Sequence, residues 1–425
     1  MTRRAILPVL AFACVAALVF PTEAAADFDE ARWTERLQAN HASADSSIAL
    51  GDEAARADRP RLAVRAYEQA IAAAWDRRME VCAKLAFQYA WAGDLSRARR
   101  AFERARARDP ENADLRRGEL LVMNWMGDHL AAWKGYEALV YGNAGLEDRA
   151  AAWAALAVAQ DWAGRRDRAL ESTQWALHLD RASRDARDLD AKIRAGLRPT
   201  AGLYYDGSED SDHYRLNGLW AEAGVWPHPQ LSLSPFVNIL GIRHPDAPAI
   251  DETWAGLTLS TQPWTRASFW ARGAWLTDTP SGVEYTPTTG TAAFSFRPHD
   301  RARFGMSVER FAVTSVRVHP EKITGTAFGA FLETRPDWRG LARIAVDRAR
   351  YDAVRDRWGT RFPANHRWNV TAVASSEVWS PAHLRLGLLG RHLRFDRHLD
   401  YGIWTPEKFS AGAATGEWNW GRRDL

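Results

Sequence analysis

The apolar positions of this chain change period near Pro199. Before it, Ala63, Ala98, Ala132 and Ala169 occupy equivalent places in successive segments; Tyr67, Phe102, Tyr136 and Thr173 follow them, then Ala70, Ala105, Leu139 and Ala176. After it, apolar residues recur at every second position. A spacing near 3.6 gathers apolar side chains on one face of a helix, and a spacing of two gathers them on one face of a strand. The pattern therefore predicts an α + β chain of two domains, helical over residues 27–198 and all-β over 199–425.

The helical part repeats itself. Trp91-Ala92-Gly93-Asp94, Trp125-Met126-Gly127-Asp128 and Trp162-Ala163-Gly164-Arg165 mark its turns, and their glycines lie 34 and 37 residues apart. A period near 34, with small residues where helices touch and an aromatic four residues on, is the pattern of tetratricopeptide repeats, a stacked α-solenoid. In the best copy, Ala98 lets two helices approach, Phe102 fills the space between hairpins and Gly93 ends the first helix. The residues expected to pack the repeats are Trp91, Gly93, Ala98, Phe102, Trp125, Gly127, Trp162 and Gly164. A sugar-stacking ladder of Trp91, Trp125 and Trp162 is the competing reading, and packing is the commoner role of an aromatic at one repeat position.

In the second part, Leu231, Leu233, Val237 and Ile239 alternate with Ser232, Ser234 and Asn238. Phe304, Met306 and Val308 alternate with Arg303, Ser307 and Glu309, Ile344 and Val346 with Arg343 and Asp347, and Leu384, Leu386 and Leu388 with Arg385. Long strands with charges repeated along one face fit an antiparallel transmembrane β-barrel of roughly twelve strands, apolar outward and polar inward. Trp226, Trp264, Trp338, Trp358, Trp379 and Tyr401, near strand ends, would form its interface girdle. A soluble sandwich is the alternative, but it leaves the 21 tryptophans and the charged faces without a purpose.

Compartment follows from the first residues. Arg3 and Arg4 precede an apolar stretch from Ala5 to Phe20 and the small residues Ala24-Ala25-Ala26, so residues 1–26 read as a removable secretory leader. Beyond it only Cys82 remains, which excludes an intramolecular disulfide and a cysteine metal cluster. The formal charge of +3 and mean hydropathy of −0.39 give no case for nucleic acid or for an apolar spanning helix. The expected location is the bacterial outer membrane, with the helical domain in the periplasm.

No nucleophile elbow, zinc-binding His-Glu helix or phosphate-cradling glycine loop occurs, so the expectation is a protein without enzymatic activity, cofactor or metal. Asp206, Glu209, Asp210 and Asp212 could bind a hard cation, but they lack a ligand spacing tied to a known loop and read as a hydrated turn. His392 and His398 read as surface or lumen residues.

Periplasmic repeats followed by a barrel resemble the outer-membrane exopolysaccharide export porins of the poly-N-acetylglucosamine and cellulose type, and related small outer-membrane barrel proteins. The residues carrying the resemblance are the three Trp-x-Gly turns, Asp210-Ser211-Asp212, and the segment from Tyr401 to Phe409 with its aromatic-x-Pro-x-x-aromatic character. The segment Gly421-Arg422-Arg423-Asp424-Leu425 is unlike the terminal aromatic strand of such barrels, so the barrel read here is one that can continue past Leu425. The resemblance implies export, or support of export, of a polysaccharide in contact with lumen residues Arg301, Arg303, Glu309, Arg343, Asp347 and Arg385. It also implies partners: periplasmic proteins of a secretion or synthase complex at the repeats, and outer-membrane lipid around the barrel. A translocon for surface lipoproteins and a non-channel envelope scaffold are the alternatives.

Overall fold

A computed structural model describes residues 28–40, 43–73, 78–142, 146–209, 215–244, 247–278, 288–313, 322–336, 339–356, 358–379, 384–399 and 405–418. The leader, Asp210-Ser211-Asp212, Trp338, Tyr401 to Trp404 and the segment from Gly421 to Leu425 lie outside the described residues. The chain divides into two compact units, Met1–Ala92 and Gly93–Leu425.

The first unit holds α1 (Glu30–Ala39), α2 (Ala44–Arg56), α3 (Pro60–Ala73) and α4 (Arg78–Trp91). Asp29 and Ser43 begin α1 and α2, each accepting a backbone N–H three residues on, which satisfies a donor the helix leaves without a partner. Trp33, Leu50, Ala63, Ala66, Tyr67 and Ala70 form the core. Trp33 keeps its indole N–H satisfied inside it, donating to Leu50 O at 3.0 Å. Gly51 lies so close to the Tyr67 ring that a Cβ would come within 2.5 Å of it.

The second unit begins with α5 (Leu95–Arg106), α6 (Ala113–Trp125), α7 (His129–Val140), α8 (Leu146–Trp162), α9 (Arg166–Leu179) and α10 (Arg184–Ala195). Each helix packs on the next through small residues: Ala98, Ala132, Ala169 and Ala176 are fully buried, as is Phe102. The repeat turns close as the glycine spacing predicts. Gly127 and Gly164 have φ of +86° and +85°, and the following N–H groups reach back five residues, Asp128 to Met123 O at 3.0 Å and Arg165 to Gln160 O at 2.8 Å. This is a left-handed C-cap, in which a non-glycine residue would be strained.

Strands begin at Thr200, directly after α10. They are β1 (Thr200–Glu209), β2 (Arg215–His228), β3 (Leu231–His244), β4 (Ala247–Trp264), β5 (Ala267–Asp278), β6 (Thr288–His299), β7 (Ala302–Val313), β8 (Ile323–Thr334) and β9 (Gly340–Tyr351). The short β10 (Val354–Arg355) and β11 (Arg361–Phe362) form a separate hairpin, and β12 (Asn365–Trp379), β13 (Leu384–Phe395) and β14 (Phe409–Trp418) complete the series. Twelve of them form one antiparallel sheet in chain order, β9 pairing with β12 across the hairpin.

The architecture corrects the expected β-barrel. The sheet is open: β1 has β2 as its single neighbour and β14 has β13, with no ladder joining β1 to β14 among the described residues. Alternation fixes which residues share a face, but closure depends on one long-range pairing that no local pattern encodes. The two faces nevertheless differ sharply. One carries Leu203, Leu219, Val237, Ile239, Leu257, Trp275, Phe304, Met306, Val308, Phe328, Leu332, Ile344, Leu386 and Leu388, all exposed. Its reverse carries the charged set and a cluster of buried side chains.

This cluster, on β8, β9, β10 and β13 at the strand ends remote from the helices, contains Ile323, Ala327, Ala349, Tyr351, Val354, Leu393 and Phe395. The β10–β11 hairpin folds over it through Val354 and Phe362. At the same end, Lys322 donates to Glu252 of β4, both side chains being buried, and Glu252 also accepts from the Trp254 indole at 3.1 Å. Such a pair is tolerable in an apolar surround only because both charges find partners.

Candidate functional site

The polar face of β2 to β7 carries a cavity of about 710 Å³. The cross-strand register builds it: Trp220 lies opposite Asn238, Asn238 opposite Trp254, and Trp270 and Arg272 sit two residues apart on β5. Trp220 and Phe236 stack with ring centroids 4.6 Å apart and planes 9° from parallel. The Arg272 guanidinium lies 4.3 Å from the Trp220 ring and 4.1 Å from the Phe236 ring. Glu252, Glu309, Asn238 and Thr291 add hydrogen-bonding groups to the lining. Flat aromatic surface bordered by a few fixed polar groups suits a ligand with both C–H faces and hydroxyl groups.

The residues expected to line a lumen share this polar face in part. Glu309 belongs to the cavity. Arg303, Glu333 and Arg343 stand directly opposite one another on β7, β8 and β9, with Arg303 5.6 Å and Arg343 4.5 Å from the Phe331 ring. Asp347 accepts from Arg367, and Arg385 faces Glu377 and Glu417. Arg301 stands apart, in the β6–β7 turn, where its Nη2 lies 3.3 Å from Asp128 Oδ2. Of the proposed girdle, Trp264 and Trp358 are exposed and Trp226 is half-buried; the side chain of Trp379, with Trp338 and Tyr401, lies outside the described residues. Among the described residues no group of three or more His, Cys, Asp or Glu is arranged to hold a metal ion.

A second polar assembly joins the repeat turns to the strand turns, and sequence reasoning missed it. Asp300, between β6 and β7, accepts from the N–H groups of Leu130 at 3.0 and 2.9 Å and of Ala131 at 3.2 Å, taking the capping role at α7 that Asp128 does not perform. Gln262 of β4 donates to Ala163 O at 2.9 Å and would meet any Cβ placed on Gly164. Gln230 donates to Asp167 at 2.9 Å, and Asp167 in turn pairs with Arg165 at 2.6 Å. The Arg165 guanidinium holds the Asp167 carboxyl below its ordinary range, against the upward push of burial. The sequence sign of this assembly is the pair of glycine turns at Gly127 and Gly164, which read in the sequence as turns that pack the repeats. Among the repeat residues, Trp91 and Trp162 are exposed; Trp91 stacks on Phe87 with centroids 5.8 Å apart, and Trp162 meets His129 edge-on at 5.6 Å.

Comparison with protein-family profiles and with curated proteins gives no match. Solved structures similar to the chain include MamA from Desulfovibrio magneticus RS-1, at 20% identity over 36% of this chain and 89% of that one, with a TM-score of 0.29. A tetratricopeptide protein of Thermus thermophilus, TTC0263, is 20% identical over 38% of this chain and 86% of that one, with a TM-score of 0.32. YrrB, described as a tetratricopeptide protein with an unusual peptide-binding site, is 17% identical over 38% and 80%, with a TM-score of 0.31.

Proposed function

We propose that this protein acts at the bacterial outer membrane in support of exopolysaccharide export, holding the glycan on the polar face of its sheet while the repeats dock periplasmic partner proteins. The observation carrying this reading is the cavity on β2 to β7, where Trp220, Phe236, Trp254, Trp270 and Arg272 present stacking surface beside Glu252, Glu309 and Asn238. Pyranose rings bind such surfaces through their C–H faces while the hydroxyl groups find the flanking polar atoms. The exposed apolar residues of the opposite face offer a surface to lipid. The leader read at residues 1–26 adds the route of export.

Deleting the gene should trap glycan in the periplasm while its synthesis continues, and Trp220→Ala should reproduce the defect with normal protein levels. Unchanged secretion in the deletion strain overturns the reading. At the level of the purified protein, neutral oligosaccharides should quench tryptophan fluorescence saturably, and Trp220→Ala should weaken that binding at least tenfold.

A further inference from the structure

Where α7 and α8 meet the strand turns, Gly127, His129, Trp162, Arg297, Asp300, Arg301, Arg303, Glu333 and Arg335 enclose a cavity of about 170 Å³. Four guanidinium groups around so small a space repel one another. Arg301 is neutralised by Asp128 at 3.3 Å. Arg303 donates to Ser295 Oγ at 3.1 Å, and among the described residues no carboxylate stands within ion-pairing distance of Arg297, Arg303 or Arg335. The two lining carboxylates offset this crowding only in part: both favour the charged form of Arg297, but Asp300 is also engaged by the N–H groups of Leu130 and Ala131, and Glu333 stands opposite Arg303 and Arg343 in the cross-strand register without an ion pair to Arg303.

We propose that this cavity is a binding site for a phosphate group. Guanidinium groups offer paired N–H donors matched to the oxygens of a tetrahedral oxyanion, and a bound anion would turn their mutual repulsion into attraction. The volume suits the group, since about 170 Å³ corresponds to roughly five water molecules, enough for phosphate with a substituent. His129 contributes a different contact. Its Nδ1 lies 2.7 Å from Asn124 Oδ1, so with Nδ1 donating there, Nε2 is left as an acceptor for the P–OH of a phosphate monoanion. Trp162, edge-on to His129, walls the opening. The site is separate from the glycan cavity and does not rest on the export reading.

The test uses the full-length protein purified in a phosphate-free, uncharged detergent. Titration with inorganic phosphate at constant ionic strength should raise the melting temperature saturably, with sulfate competing and chloride inactive. Arg335→Gln, at an exposed position, and Arg297→Gln should each weaken phosphate binding at least tenfold. Without phosphate, Arg335→Gln should melt no lower than the parent, because it removes repulsion. If phosphate acts no differently from chloride, or acts equally on parent and both variants, the site does not exist. The source of the phosphate is read by repeating the titration in phosphatidylglycerol nanodiscs: loss of the response there identifies a lipid headgroup as occupant, and its persistence identifies a soluble phosphate.

Discussion

Asp300 caps a helix to which it does not belong, accepting from Leu130 N at 2.9 Å across 170 residues of sequence. Asp128, at the usual capping position of α7, makes no capping bond and pairs with Arg301 instead. The two aspartates thus exchange partners between the repeat turn and the β6–β7 turn, and each ties helix to sheet.

Asp300→Ala should therefore destabilise the second unit by about 1–2 kcal/mol, the usual cost of a lost N-cap. Asp300→Asn, which retains an acceptor oxygen, should recover most of it. Denaturant unfolding followed by tryptophan fluorescence measures the difference; equal losses in the two variants would mean that charge, not capping, is what Asp300 supplies.

His129 gives the second unit an acid limit. Burial, aided by the Arg297 and Arg335 guanidinium groups and opposed by Asp128, pulls its imidazole down to about 4 from an ordinary value of 6.5. The folded state therefore stays unprotonated at a pH where the unfolded chain takes up a proton. Stability from this group is complete above about 6.5 and declines as pH falls towards 4, by at most about 1.4 kcal/mol per pH unit. His129→Gln should flatten the stability profile over that interval while leaving the acid transition of the carboxylates below it.

The glycine turns should respond unequally to alanine. Gly93 has a φ of +82° but open space where a Cβ would go, so Gly93→Ala should cost only the backbone strain, about 1–2 kcal/mol. At Gly164 the same strain is joined by a Cβ placed 2.3 Å from Gln262 Oε1, which forces that side chain off Ala163 O. Gly164→Ala should cost more, and Gln262→Ala should partly relieve it in the double variant. Thermal melts of the four proteins decide this.

The face proposed to meet lipid is tested at Met306, which is 59% exposed beside Phe304 and Val308. Met306→Arg should weaken membrane association by about 3 kcal/mol. Arg303→Ala, on the reverse face, should leave it unchanged. Vesicle flotation gives both numbers, and equal partitioning of the two variants would remove the lipid role from this face.

The helical hairpins and the facing of the strands were legible because both arise from local periods: Ala98 and Phe102 announce a buried helix face, and Phe304, Met306 and Val308 announce one face of a strand. The failures are all long-range. Whether β1 meets β14 depends on a pairing between the two ends of the strand series, and alternation is the same in an open and a closed sheet. Trp220 and Arg272 share a cavity only because three hairpins bring β2 and β5 onto one curved surface. Asp300 and Gln262 carried no signal in the sequence, since a side chain that bonds the end of a distant helix leaves no periodic mark.

The open sheet has a further consequence for how the molecule breathes. A strand with a single neighbour can detach by breaking one ladder, whereas an interior strand must break two. Opening should begin with β1 and β14, whose residues are almost all exposed, and move inwards. Amide protons there should exchange with solvent deuterium long before those of β8 and β9, which lie deep in the sheet and beneath the buried cluster at its remote end. The native state would then be a graded one, firm in the middle and loose at both margins, and any binding event that fastens a margin would slow exchange along the whole neighbouring hairpin.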